Sequence, residues 1–255
     1  LMSYSRQVFE YAVRMEIIDT NPVDKVIKPI RRKKVTEKRF YSKKELQIFM
    51  DHLEQKLDES EKKSLLNRFL CELDRAIFRL MAFSGMRVGE VLALSWDDLD
   101  TTTGRITINK TLSQTKDGYK RSSPKTAQSN RTIMIDAKTL QILKRWKLRQ
   151  RELLLANGKR EINFIFTDFK NQNLIRNDIY QRSKRNAAAC GLPNIGCHGF
   201  RHTFATLMYE SGSDSKEIQE ILGHTDIAIT MNTYTHISEK KLTTAIERHA
   251  KYMNF

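Results

Sequence analysis

The sequence predicts an α+β fold, mostly α-helical with a small antiparallel β-sheet, on three observations. Apolar residues recur at three- and four-residue steps through long stretches at both ends of the chain, as on core-facing helices. Between those stretches, RITIN (105–109) and TIMI (132–135) show strand-like alternation, with the turn-forming Asp117-Gly118 pair between them. The chain has 255 residues, 40% of them apolar, enough for one large core, or for one domain with an appended piece.

Taken in order, Tyr4, Val8, Tyr11, Ala12 and Met15 give the first helix an apolar face, and Asn21-Pro22 ends it. A lone helix cannot bury such a face, and the opening Leu1-Met2 suggests a fragment. Residues 1–30 are therefore expected to be the last helix of a truncated domain. The basic stretch KPIRRKKVTEKRF (28–40) has no sustained periodicity and reads as an extended linker over 31–40, with Lys28, Arg31, Arg32, Lys33, Lys34, Lys38 and Arg39 facing phosphates. Ser42 and Glu45 form a capping box for a helix carrying Leu46, Phe49, Met50 and Leu53. A longer helix is expected from about Glu61, with Leu66, Phe69, Leu73, Ile77 and Leu80 inward and Ser84-Gly85 as its end. Arg87 follows that stop and opens a short helix, where Glu90, three residues on, can orient its guanidinium.

The sheet of two or three strands comes next, containing PKTAQSNRTI (124–133) with Lys125 beside a turn; Lys120 and Arg121 compete for any role given to Lys125, and both, like Arg131, are candidate DNA contacts. Lys138 to Ala156 is an amphipathic helix with Leu140, Leu143 and Trp146 inward, ended by Asn157-Gly158. Phe164 to Phe166 reads as a short buried strand, and Asn177 to Ala189 as a helix exposing Arg182, Lys184 and Arg185. In the helix expected over Gly199 to Ser211, Phe200, Phe204, Leu207 and Met208 form the apolar stripe, while His198 and Arg201 share the other face. Asp214 or Ser215 caps a helix with Ile218, Ile221 and Leu222 inward, and Gly223 stops it just before His224. Asp226 can cap a further short helix that leads to Tyr234. A final helix runs from Glu239 to Tyr252, with Leu242, Ala245, Ile246 and His249 on one side, packing in cis or on a neighbouring protomer.

The net charge of +15 favours a polyanionic partner. No run of apolar residues is long enough to span a membrane, and no signal peptide is indicated. Cys71, Cys190 and Cys197 lack metal spacing and fit a reducing, cytoplasmic setting with buried thiols.

The segment CHGFRHTFATLMYESGSDSKEIQEILGHTDIAITMNTYTH (197–236), with H-x-x-R, L-G-H and Y-T-H in succession, resembles the carboxy-terminal signature of the tyrosine recombinases, the phage and transposon integrase family. SGMRVGEVLAL (84–94) is similar to the family's presentation of its first catalytic arginine, and Lys125 matches its sheet-turn lysine. The resemblance covers about residues 40–255. It implies a catalytic domain over 41–255, preceded by a remnant of a core-type DNA-binding domain. It also implies a catalytic set of Arg87, Lys125, His198, Arg201, His224 and Tyr234, supported by Glu90, His202 and His236. Two arginines would hold the phosphodiester, Tyr234 would form a 3′-phosphotyrosyl link with His198 as base, Lys125 would protonate the leaving 5′ oxygen, and His224 would donate to the phosphate. The implied partners are double-stranded DNA attachment sites of a bacterial or phage mobile element such as a prophage. The implied assembly is a homo-tetramer on DNA with a monomer in its absence, and no cofactor and no metal are expected. His198 and His202 have the i, i+4 spacing of a metal pair, but the glutamate a zinc hydrolase would place between them is missing. A non-catalytic DNA-binding module and a type IB topoisomerase-like enzyme are the rival readings.

Overall fold

In the computed structural model, residues 2–26, 40–60, 62, 64–115, 118–122 and 130–223 are described, and the chain divides into two units, 1–37 and 38–255. In the first, α1 (Met2–Arg14) is followed by a short 3-10 turn, Pro22–Lys25, capped by the Asn21 side chain, which accepts from the Val23 N–H at 3.0 Å. Asn21 also donates to the Arg6 carbonyl, and Arg6 pairs with Asp24, folding the turn back on the helix. The apolar face read from the sequence is present and uncovered within this unit: Tyr4, Val8, Tyr11 and Met15 are all exposed. The basic residues 28–39 lie outside the described residues.

The second unit is built on α3 (Leu65–Ser84), which packs on α2 (Lys43–Ser60), α5 (Ala137–Ala156) and α7 (Gly196–Glu210). The Ser42 box is formed, with the Glu45 carboxylate accepting from the Ser42 N–H at 2.7 Å. α3 begins later than the apolar spacing suggests, because Ser64 takes the cap position and its hydroxyl accepts from the Asn67 N–H. Its far end turns at Gly85 in the left-handed region (φ +64°), where an added Cβ would lie 2.4 Å from the Phe204 ring and 2.6 Å from Leu222. Only glycine fits there.

The strands form two sheets. β1 (Leu99–Asp100), β2 (Arg105–Ile108) and β5 (Arg131–Met134) make the expected antiparallel sheet in the order β1-β2-β5, with Ile106 opposite Ile133 in the core. Between β2 and β5, the chain makes a separate antiparallel hairpin, β3 (Thr111–Thr115) and β4 (Gly118–Ser122). The sequence reading found the turn pair but not these strands, because TLSQT and GYKRS bury only Leu112 and so carry no apolar alternation. The stretch 164–166 forms a bridge from Phe164 to Ser95 rather than a strand, with Ile165 N–H donating to the Leu94 carbonyl.

α6 (Arg176–Ala189) starts one residue earlier than expected and does not expose Arg182. Asp74, buried in α3, draws Arg182 inward at 2.7 Å and also accepts from Lys56 and Asn186, since a carboxylate out of water requires such partners. Lys184 and Arg185 are exposed as expected. Helix α7 is set by Phe200, fully buried among Phe78 (ring centroids 5.2 Å), Phe49 (5.4 Å) and Tyr41 (6.1 Å, edge-on). Tyr41 ties in further, its N–H donating to Thr203 and its hydroxyl to the Pro193 carbonyl. α8 (Ser215–Leu222) is capped by Asp214, which settles that alternative, and ends at Gly223 with φ +67°.

Phe200→Ala should cost about 3–5 kcal/mol of stability, the range for a buried Phe truncation. Denaturant unfolding followed by fluorescence of Trp96 and Trp146 checks this.

Candidate active site

Three helix junctions converge on a cavity of about 390 Å³ lined by Arg87, Arg176, His198 and Arg201, with Thr111, Ser113, Gln114 and Tyr119 of the hairpin on one wall. Arg87 is the residue before α4 (Val88–Ala93), placed by the left-handed turn at Gly85. Its backbone N–H and its guanidinium both donate to Glu90, at 2.9 and 2.8 Å. His198 and Arg201 lie on the first turns of α7, one helical step apart, so the burial of Phe200 orients both.

Arg201 is 5% exposed, and its two terminal nitrogens donate to the Gly85 carbonyl at 2.8 Å and the Leu222 carbonyl at 3.0 Å. Glu90 is buried and bonded to two guanidiniums: Arg131 donates to both its oxygens at 3.1 and 2.8 Å, and Arg87 to one of the same oxygens. Burial pushes the Glu90 carboxyl up, but the hydrogen bonds and charge of Arg131, with those of Arg87, outweigh it and hold the group below the usual range. His198 is pulled down to about 4, first by desolvation of the ring and then by the charges of His202, Arg201, Arg176 and Arg87. His202 stands edge-on to it, with ring centroids 4.5 Å apart. A neutral imidazole beside arginines can accept a proton, and the arginines can bind an anion at any working pH.

Of the sequence-predicted residues, Arg87, Glu90, His198, Arg201 and His202 are thus brought together, while Lys125, His224, Tyr234 and His236 lie outside the described residues. Lys120 is exposed on β4. Arg121 is instead packed over the Phe164 ring at 3.3 Å and bonded to Asn173. Arg131, expected as a DNA contact, has a side chain 7% exposed and paired with the buried Glu90 carboxylate, for which it supplies a second cation. Arg176 is the residue that sequence reasoning missed. Its position at the first turn of α6, in a helix dated there from Asn177, hid its place on the cavity wall. Among the described residues, no group of three or more His, Cys, Asp or Glu is placed to hold a metal ion, and no helix is long and apolar enough to cross a membrane.

A family model described as the phage integrase family matches residues 39–241. The chain belongs to that family. Among curated relatives, it is 29% identical to a XerC-like tyrosine recombinase of Caldanaerobacter subterraneus over 97% of this chain and 64% of that protein. It is 30% identical to the ICEBs1 integrase of Bacillus subtilis over 94% of this chain and 61% of that protein. This integrase-family chain therefore spans somewhat under two thirds of the length of either relative. Among solved structures, it is similar to the Tn1549 transposon integrase in complex with transposon right-end DNA (TM-score 0.73, 22% identity, 96% of this chain and 76% of that one), a likeness of fold. It is also similar to the XerH site-specific recombinase bound to its difH substrate (TM-score 0.60, 26% identity, 87% and 56%). These neighbours bear out the mostly helical α+β class with its small antiparallel sheet.

His198 should stay neutral until the pH falls near 4, so its NMR titration midpoint should lie well below the ordinary histidine value. Because the folded pKa is below the unfolded one, stability should rise with pH between about 4 and 6.5. His198→Gln should flatten that part of the profile in pH-dependent melts.

Proposed function

We propose that this chain is the catalytic part of a site-specific DNA recombinase. It cleaves and rejoins strands through a 3′-phosphotyrosyl intermediate at Tyr234 and serves the integration and excision of a mobile element. The observation that carries this reading is the convergence of Arg87, His198 and Arg201 on one cationic cavity in a chain of the phage integrase family. A phosphodiester in that cavity would meet guanidiniums able to neutralise the extra charge of a pentacoordinate phosphorus. His198, unprotonated near pH 7, is available to take the phenolic proton of Tyr234. Because at about 4 it is a weak base, the arginines must stabilise the charge as the phenol of ordinary pKa about 10 attacks. Lys125 would protonate the leaving 5′ oxygen and His224 would donate to the phosphate. Glu90, His202 and His236 would hold these groups in place. The ester energy is kept in the phosphotyrosine, so rejoining needs no nucleotide, and no cofactor is assigned.

The partners in this reading are double-stranded attachment sites, bound by a homo-tetramer that is monomeric without DNA, in a bacterial cytoplasm. The +15 charge supports the polyanionic partner. The uncovered apolar face of α1 supports assigning residues 1–30 to a core-type DNA-binding domain, joined by the basic linker 31–40 to the catalytic domain 41–255.

Trapping on a nicked suicide substrate carrying the element's attachment core, in EDTA, tests the function. A covalent adduct with the parent and none with Tyr234→Phe is expected. No adduct from the intact protein on its own site, or an adduct that survives in the variant, overturns it.

A further inference from the structure

The pairing of Glu90 with both Arg87 and Arg131 raises a problem of charge. A buried carboxylate that orients Arg87 also cancels the charge Arg87 would offer a phosphate. Arg131 donates to both oxygens of that carboxylate, at 3.1 and 2.8 Å, sharing Oε1 with the Arg87 guanidinium and leaving the trio with one net positive charge. The remaining guanidinium nitrogen of Arg131, Nε, donates to the Ile221 carbonyl at 2.8 Å, at the carboxy-terminal end of α8. The stem of Arg131 also lies against the α8 stop: a Cβ at Gly223 would come within 2.8 Å of Arg131 Cδ. One side chain from the start of β5 therefore meets both the carboxylate that holds Arg87 and the last residues before His224.

We propose that Arg131 is a positioning residue for strand cleavage that does not touch DNA. It takes up the Glu90 charge so that Arg87 is oriented without being neutralised, and it pins the end of α8 that leads to His224. The inference rests on the recombinase reading for its catalytic half, and the experiment separates the two.

Arg131→Met keeps an apolar stem against Gly223 while removing the charge and the bonds. At saturating attachment-site DNA, adduct formation should slow about 100-fold, the scale of a lost transition-state charge partner. DNA affinity and its salt dependence should be unchanged. Glu90→Gln alone should slow the step about 10-fold, by loosening Arg87. The double variant should be faster than Arg131→Met alone and close to Glu90→Gln, because without the carboxylate there is no charge left to cancel. A purely structural role is told apart by the folded fraction: it shows as a loss of folded protein in the melting curves of the same variants, with the adduct rate per folded molecule unchanged.

Two results overturn the proposal. One is a double variant as slow as the product of the single losses. The other is a salt slope reduced by about 1 in Arg131→Met, the mark of a lost phosphate contact. If the parent itself forms no adduct, the recombinase reading falls and melting curves decide the charge arrangement. The stability gap between parent and Arg131→Met should then narrow as the pH falls below 7 and Glu90, no longer held down by Arg131, takes a proton in the variant before it does in the parent, and should not vary with pH in the Glu90→Gln background. A gap independent of pH in both backgrounds overturns it.

Discussion

Two helices end at the same guanidinium. α3 finishes at Gly85 and α8 at Leu222, and the carbonyl of each accepts from Arg201, which α7 carries into the interior. Carbonyls at a helix carboxy-terminus lack partners within the helix and carry the negative end of its dipole, so a buried cation shared between two such ends satisfies groups that would otherwise be stranded. The cation is held in turn, because Phe200 of the same helix is locked among Tyr41, Phe49 and Phe78. What those helix ends carry follows: Arg87, two residues beyond Gly85, and the left-handed stop at Gly223.

The sequence made much of this legible because its signals were local. The Ser42–Glu45 box, the Gly85 and Gly223 stops and the apolar stripe of α7 each specify a helix boundary or face through neighbouring residues, and each is formed. His198 and Arg201 were readable as a pair for the same reason. What stayed hidden depends on residues distant in the chain. Arg131 and Glu90 are 41 positions apart, and nothing beside Arg131 announces a buried carboxylate. Arg182 looked solvated until Asp74, 108 positions earlier, drew it inward. The β3–β4 hairpin escaped because its pairing rests on backbone bonds and not on alternating burial.

The same contrast bears on the strongly basic composition. A net charge counts every arginine equally, whereas the fold spends several of them internally: Arg79 on Asp136 and the Phe83 ring, Arg121 on Phe164 and Asn173, Arg131 on Glu90, Arg182 on Asp74. The cations of the cavity differ in being gathered around a neutral imidazole, where burial of the ring, and then their repulsion, keeps His198 unprotonated. Position, more than number, determines what the positive charge does.

The hairpin wall has an evolutionary consequence. Its core is Leu112, with Ser113, Gln114, Tyr119 and Lys120 all exposed and the first three of these lining the cavity. Mutations at these sites change the surface beside the arginines while removing almost nothing from the interior. What is presented next to the arginines can therefore change without the fold being re-established, because Leu112 is the hairpin residue that is buried in the core.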